Sequence, residues 1–323
     1  MPRILIRCDI GSIHGLGHAT RCKALAQVLA ARGADVGFMS ETPALEAFVA
    51  PFPCVDARQP DYLELDVLVI DTKAALDEAW YTRFAGAMGC RTVRIDHPQA
   101  TPDTCDILVA PLAHWAPDIV QRLQRDFGEH FLYGWEYVML PEDVTDGAPL
   151  SYDEREPQIV FCAGGSDPDG ALQQMYDWTT NLEIDAELCF LIGAYVEYDR
   201  LAMKYMSRKN VPLVAPFTRA HLAETSLVVT TFGQTMYEAL WYQTPCIVLA
   251  RNDDDDCHTL WLQQQCAAVY AVGDIRAYTN RPEQFCRAIQ VAWTSRTRSA
   301  ALAAEKLDGR GVARIADAIL RLC

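Results

Sequence analysis

The residues best suited to chemistry in the first half of the chain lie in one short run, Asp9-Ile10-Gly11-Ser12-Ile13-His14-Gly15-Leu16-Gly17-His18-Ala19-Thr20-Arg21. Gly15 and Gly17 tolerate backbone angles that other residues resist and let a ligand approach the main chain. A helix starting near His18 would aim free N–H groups and its positive dipole end at that ligand, which favours an anionic or oxygen-rich group. A histidine at such a mouth can remove a proton near neutral pH, or it can simply cap the helix. The second half holds two comparable turns. In the first, Ile159-Val160-Phe161-Cys162 runs into Ala163-Gly164-Gly165-Ser166-Asp167, where exposed N–H groups suit a phosphate and Ser166 or Asp167 caps a helix. In the second, Thr230-Thr231-Phe232-Gly233-Gln234-Thr235-Met236-Tyr237-Glu238 sets a carboxylate one helical turn beyond a glycine, among apolar residues. Such a carboxylate can accept from both hydroxyls of a cis-diol. The acidic block Asp253, Asp254, Asp255 and Asp256 reads as a solvated loop with Asp255 or Asp256 capping a helix, because hard-cation sites space their ligands along a loop.

These side chains need a scaffold, and the apolar pattern describes one. Short β-branched runs at 3–9, 35–39, 66–71, 91–96 and 106–111 alternate with helix-length stretches, the first helix being 19–32, closed by Gly33. After a polar, proline-bearing stretch at 146–157 the pattern restarts, with strands expected at 158–162, 186–192, 211–215, 227–231 and 246–250. Buried runs alternating with helices indicate βαβ units and parallel sheets covered on both faces. The reading is therefore α/β: two Rossmann-like parallel-sheet domains, 1–147 and 156–323, facing a central cleft. Asp71, Asp96 and His97, at expected strand ends, are secondary candidates for contact with an acceptor.

Composition narrows the class. Half of the 323 residues are hydrophobic, enough for two cores. No apolar run approaches the ~20 residues needed to cross a bilayer, and the opening Met1-Pro2-Arg3-Ile4-Leu5-Ile6-Arg7 reads as a first strand rather than a signal peptide, so a cytoplasmic protein is expected. The twelve cysteines include no C-x-x-C pair and no zinc spacing; several lie in apolar runs as small hydrophobes. A net charge of −15 disfavours polyanionic partners, although Arg287, Arg296, Arg298, Lys306, Arg310, Arg314 and Arg321 make the end of the chain locally basic and keep a nucleic-acid acceptor as a minor alternative.

The run ILIRCDIGSIHGLGHATRCKALAQVL resembles the opening of the nucleotide-sugar hydrolases of the pseudaminic acid pathway, a GT-B family similar to the peptidoglycan N-acetylglucosaminyl transferase. The resemblance implies that His18 is a general base, with Asp9 and Arg21 lining its pocket beside Gly15 and Gly17. It further implies that Gly164, Gly165, Ser166, Gly233, Gln234 and Thr235 hold a UDP-like diphosphate, that Glu238 meets the ribose, and that no metal or other cofactor is needed. Three departures fall at the sugar-facing end. Asp71-Thr72-Lys73-Ala74 replaces an aspartate–histidine–tyrosine–glycine run, Tyr237 replaces an asparagine, and Pro141 replaces an arginine. The expected function is an inverting glycosyltransferase using a UDP-sugar, with a hydrolase of the pseudaminic type as the alternative. The acceptor is left open among water, glycan, protein and nucleic acid.

Overall fold

The computed structural model describes residues 1–11, 15–58, 64–72, 78–111, 115–147, 151–196 and 213–323. Its contacts divide the chain into two units, Met1–Glu142 with Asp308–Cys323, and Asp143–Leu307.

The first unit is built on a parallel sheet of β1 (Arg3–Arg7), β2 (Asp35–Ser40), β3 (Cys54–Asp56), β4 (Val67–Ile70), β5 (Arg91–Ile95), β6 (Ile107–Ala110) and β7 (Phe131–Tyr133). The spatial order is β3-β2-β1-β4-β5-β6-β7. β4 and β6 are buried along their whole length, as the unbroken Val/Ile/Leu runs require when both faces of a sheet are covered. Helix α1 (Gly17–Ala31) follows β1 and turns its buried Ala19, Cys22, Ala24, Leu25, Ala26 and Leu29 inward. Beyond its cap Arg32 stands Gly33, whose φ of 88° suits a residue without a Cβ.

The second unit repeats the plan with β8 (Gln158–Cys162), β9 (Glu187–Ile192), β10 (Leu213–Pro216), β11 (Leu227–Thr231), β12 (Cys246–Ala250) and β13 (Val269–Asp274), in the order β10-β9-β8-β11-β12-β13. Its core stacks Phe161 on Phe190, ring centroids 4.5 Å apart. Against this core the long helix Pro282–Ala303 sets Phe285, Ile289, Ala292 and Trp293, one stripe at helical spacing.

The expected strands at 158–162, 227–231 and 246–250 coincide with β8, β11 and β12, whose apolar runs are complete. The expected strand at 211–215 begins at Leu213, and residues 211 and 212 lie outside the described set. Strands β3, β7 and β13 escaped the pattern. Two of them are three residues long, and β13 is a half-buried edge strand whose first residue alone is fully buried.

The unit boundaries also differ from the sequence division. Residues 152–155, read as linker, are tied to the second unit: Tyr152 donates to the Ser226 carbonyl at 2.5 Å, and buried Arg155 donates to Thr225 O, Thr244 Oγ1 and Tyr242 O. The last helix (Gly311–Leu320), read as part of the second domain, groups with the first. Gly311 stands so close to the 137–138 backbone that a Cβ would lie 2.1 Å from Val138 O.

Candidate functional site

In each sheet the chain winds outward in both directions from one adjacent strand pair, β1–β4 in the first unit and β8–β11 in the second. The connections diverge at the carboxyl ends of such a pair, which opens a crevice where ligands settle in open parallel sheets. The candidate residues gather at these two places.

At the first, Asp71 follows β4 and Asp9 lies just beyond β1. Asp71 is fully buried and takes three contacts: His18 Nδ1 at 2.5 Å, and Arg21 through both Nε and Nη2 at 2.6 Å. Cys22 Sγ adds a thiol donor at 3.3 Å. His18 and Arg21 are one helical turn apart on α1, so the helix presents both to the same carboxylate. Burial alone would raise the Asp71 carboxyl, but the charges and hydrogen bonds of Arg21 and His18 outweigh it and hold the acid well below the ordinary carboxylate range. The ionised carboxylate can only accept, so in the neutral ring His18 Nδ1, which also has Arg21 Nη2 3.1 Å away, carries the hydrogen and Nε2 the lone pair. This is the tautomer a general base needs.

Asp96 completes the cluster, with Oδ2 3.5 Å from Arg21 Nη2 and a left-handed φ of 59°. Asp9 belongs to a neighbouring network. It pairs with Arg7 at 2.5 Å, accepts from Ser40 Oγ, Glu41 N and Thr72 Oγ1, and is 2 % exposed. Burial raises its carboxyl less than these partners lower it. Asp9 thus laces together the ends of β1, β2 and β4 and is not free to line a ligand pocket.

Arg21, expected to line the pocket, directs its fork at Asp71, and Asp71, expected near the acceptor, is hydrogen-bonded to His18. Gly15, at φ 71°, donates its N–H to Gly11 O at 2.8 Å, while Gly17 begins α1, whose N-cap Leu16 offers no capping side chain. His97 lies after β5, its carbonyl accepting from Ala100 N at 3.0 Å. The departure at Lys73 and Ala74 falls outside the described residues.

At the second place, Gly164 has φ 81°, and Gly193 packs so tightly on the loop that a Cβ would lie 2.3 Å from Gly164 O and 2.7 Å from Gly165 O. Ser166 is half-buried and caps nothing. Asp167 instead accepts from Ala171 N at 2.7 Å and Leu172 N at 3.1 Å, capping the helix Ala171–Trp178. Gly233 precedes the helix Gln234–Trp241, and Gln234 and Thr235 stand half-buried in its first turn, with no capping side chain before them. Glu238, expected at a ribose, is 3 % exposed and faces Arg219 Nε at 3.4 Å; Arg219 also pairs with Asp143. Burial raises the Glu238 carboxyl above its ordinary value, and Arg219 offsets only part of that.

The acidic block forms the first turn of helix Asp253–Gln265, where negative side chains favour the dipole. The capping residue is Asn252, which accepts from Asp255 N at 2.9 Å. The basic residues near the chain end divide between the units: Arg287, Arg296 and Arg298, all on the helix Pro282–Ala303, lie with Lys306 in the second, and Arg310, Arg314 and Arg321 in the first. Arg296 stacks on Trp293 and Arg314 is paired with Asp308.

No family model matches the chain, and no curated protein matches it. Solved structures do. MurG of Acinetobacter baumannii aligns over 99% of this chain and 100% of its own, with TM-score 0.66 and 12% identity. The glycosyltransferase of kitacinnamycin aligns over 100% and 99%, with TM-score 0.68 and 14% identity. Methanocaldococcus jannaschii UDP-GlcNAc 2-epimerase, solved in complex with UDP-GlcNAc and UDP, aligns over 99% and 100%, with TM-score 0.64 and 13% identity. Likeness at such identities speaks to architecture, and because the alignments span the whole chain, with its two parallel sheets, the fold is GT-B.

Proposed function

We propose that the protein is an inverting glycosyltransferase that draws its sugar from a nucleotide-activated donor, a UDP-sugar, with His18 as general base. The observation that carries this reading is the buried Asp71 carboxylate held by Arg21 and hydrogen-bonded to His18 Nδ1, which leaves Nε2 to take a proton. His18 Nε2 removes the proton of an acceptor hydroxyl as its oxygen bonds to the anomeric carbon. The bond from that carbon to the phosphate oxygen breaks on the opposite face, and its electron pair leaves with the diphosphate. Gly164, Gly165, Ser166, Gly233, Gln234 and Thr235 supply main-chain and hydroxyl donors suited to that anion. The choice of UDP is supported by one structure of this fold that holds UDP-GlcNAc and UDP.

Water attacking by the same route would make the enzyme a hydrolase, so the assay separates the two. UDP-, GDP-, dTDP- and CMP-sugars are incubated with and without glycan, protein and nucleic-acid acceptors, and free nucleotide is measured. Release that needs an acceptor supports the transferase; equal release without one replaces it by the hydrolase. In either case His18→Ala lowers kcat by ~10²–10⁴-fold with nucleotide affinity kept. A variant retaining more than about a tenth of the rate removes His18 from the role of base.

A further inference from the structure

Arg251 stands one residue beyond β12 and reaches back across the carboxyl edge of the second sheet. Its Nη2 donates to Ala163 O at 2.6 Å, just past β8, and to Thr231 Oγ1 at 2.8 Å, at the end of β11. It therefore straddles the strand pair at which the connections diverge. The glycine loop lies against it, since a Cβ on Gly164 would be 3.9 Å from Nη2. Only part of the guanidinium's donor capacity is used: Nε is buried with no acceptor, and no described carboxylate forms an ion pair with this side chain. The nearby acids are engaged with main chain, Asp255 with the N–H of Arg251 itself and Asp167 with Ala171 and Leu172. A half-buried cation that feels Asp167 only through space and makes no ion pair among the described residues, in a chain of net charge −15, is positioned for an anion from outside the chain.

We infer that Arg251 supplies the positive charge that binds a phosphate group at the carboxyl ends of β8 and β11, the phosphate being that of a nucleoside diphosphate. The inference rests on the nucleotide-sugar reading and adds to it a residue that no glycine or helix terminus can replace: a fixed full charge beside the loop. A neutral tether between Ala163 and Thr231 would need no charge, and that difference can be measured.

Calorimetric titrations on the full chain use UDP, GDP, dTDP and CDP, the nucleoside of whichever binds best, and pyrophosphate. Arg251→Gln keeps a donor for Ala163 and removes the charge; Arg251→Lys keeps the charge. The expected result is a loss of about 10- to 100-fold in diphosphate and pyrophosphate affinity for the glutamine variant, the size of a lost charge-assisted hydrogen bond, with nucleoside affinity unchanged and a smaller loss for lysine. Diphosphate affinity unaltered in the glutamine variant, or nucleoside and diphosphate weakened equally, overturns the inference while wild-type nucleotide binding keeps the reading above. Wild-type protein that binds none of the four diphosphates overturns both.

Discussion

Asp71 and Glu238 are both buried carboxylates beside an arginine, yet their surroundings push them in opposite directions. Asp71 receives a bidentate fork, a histidine and a thiol, and stays ionised. Its lowered value means that its stabilisation is complete above the unfolded value of ~3.9 and is lost as pH falls through the folded one. Asp71→Asn should therefore be less stable than wild type at neutral pH, by about 3 kcal/mol if the Arg21 charge is left unpaired. That gap should close in urea melts taken at progressively lower pH. The same change should lower kcat by as much as ~10⁴-fold with little effect on nucleotide affinity, because an amide no longer enforces the Nδ1–H tautomer. Glu238 meets Arg219 by a single 3.4 Å contact, and burial raises its carboxyl. With the sign reversed, its stabilisation is present below the unfolded value of ~4.3 and is lost as pH rises through the folded one. Glu238→Gln should accordingly melt at a higher temperature than wild type at pH 8, with the advantage vanishing near pH 4. An advantage constant with pH would mean that charge burial is not its source.

At the level of elements, the tightest constraints are close approaches of bare backbone. The helix Gly311–Leu320 begins where Gly311 touches Val138 O, and Arg314 reinforces the contact by donating to Glu136 O at 2.8 Å while pairing with Asp308. Arg32, at the C-terminal cap of α1, reaches the same helix at Ala313 O and Asp317. A methyl on Gly311 must displace main chain, which cannot rotate away as a side chain can, so Gly311→Ala should cost ~1–3 kcal/mol in chemical denaturation. A cost below about 0.5 kcal/mol, typical of a surface change, would show the contact to be loose.

For the whole molecule, the division into units makes its own prediction. Val312, Ile315, Ala316, Ala318 and Ile319 are buried, and the helix that carries them groups with a unit that begins some 300 residues earlier. Burying each valine or isoleucine contributes roughly 1.5–3 kcal/mol. A chain ending at Leu307 should therefore show faster amide exchange in β1, β2 and α1, with β8, β11 and β12 nearly unaffected. Increased exchange confined to the second sheet would overturn the assignment of this helix.

Local sequence determined the α/β class, the restart of the pattern in the second half and the strands with complete apolar runs, because burial on both faces leaves an unbroken hydrophobic signature. It also brought out the glycine turns and His18, since glycine and histidine have few reasons to stand at a strand-to-helix mouth. Only tertiary structure decided how these residues pair. That Asp71 faces His18 follows from β4 lying beside β1, a contact between residues 53 apart that no local pattern encodes. Glu238 turning to Arg219, Arg251 crossing to Ala163, and the last helix joining the first unit are likewise long-range choices. The two polar pairings satisfy groups buried at the sheet edges, and the helix is placed by burial of its apolar face.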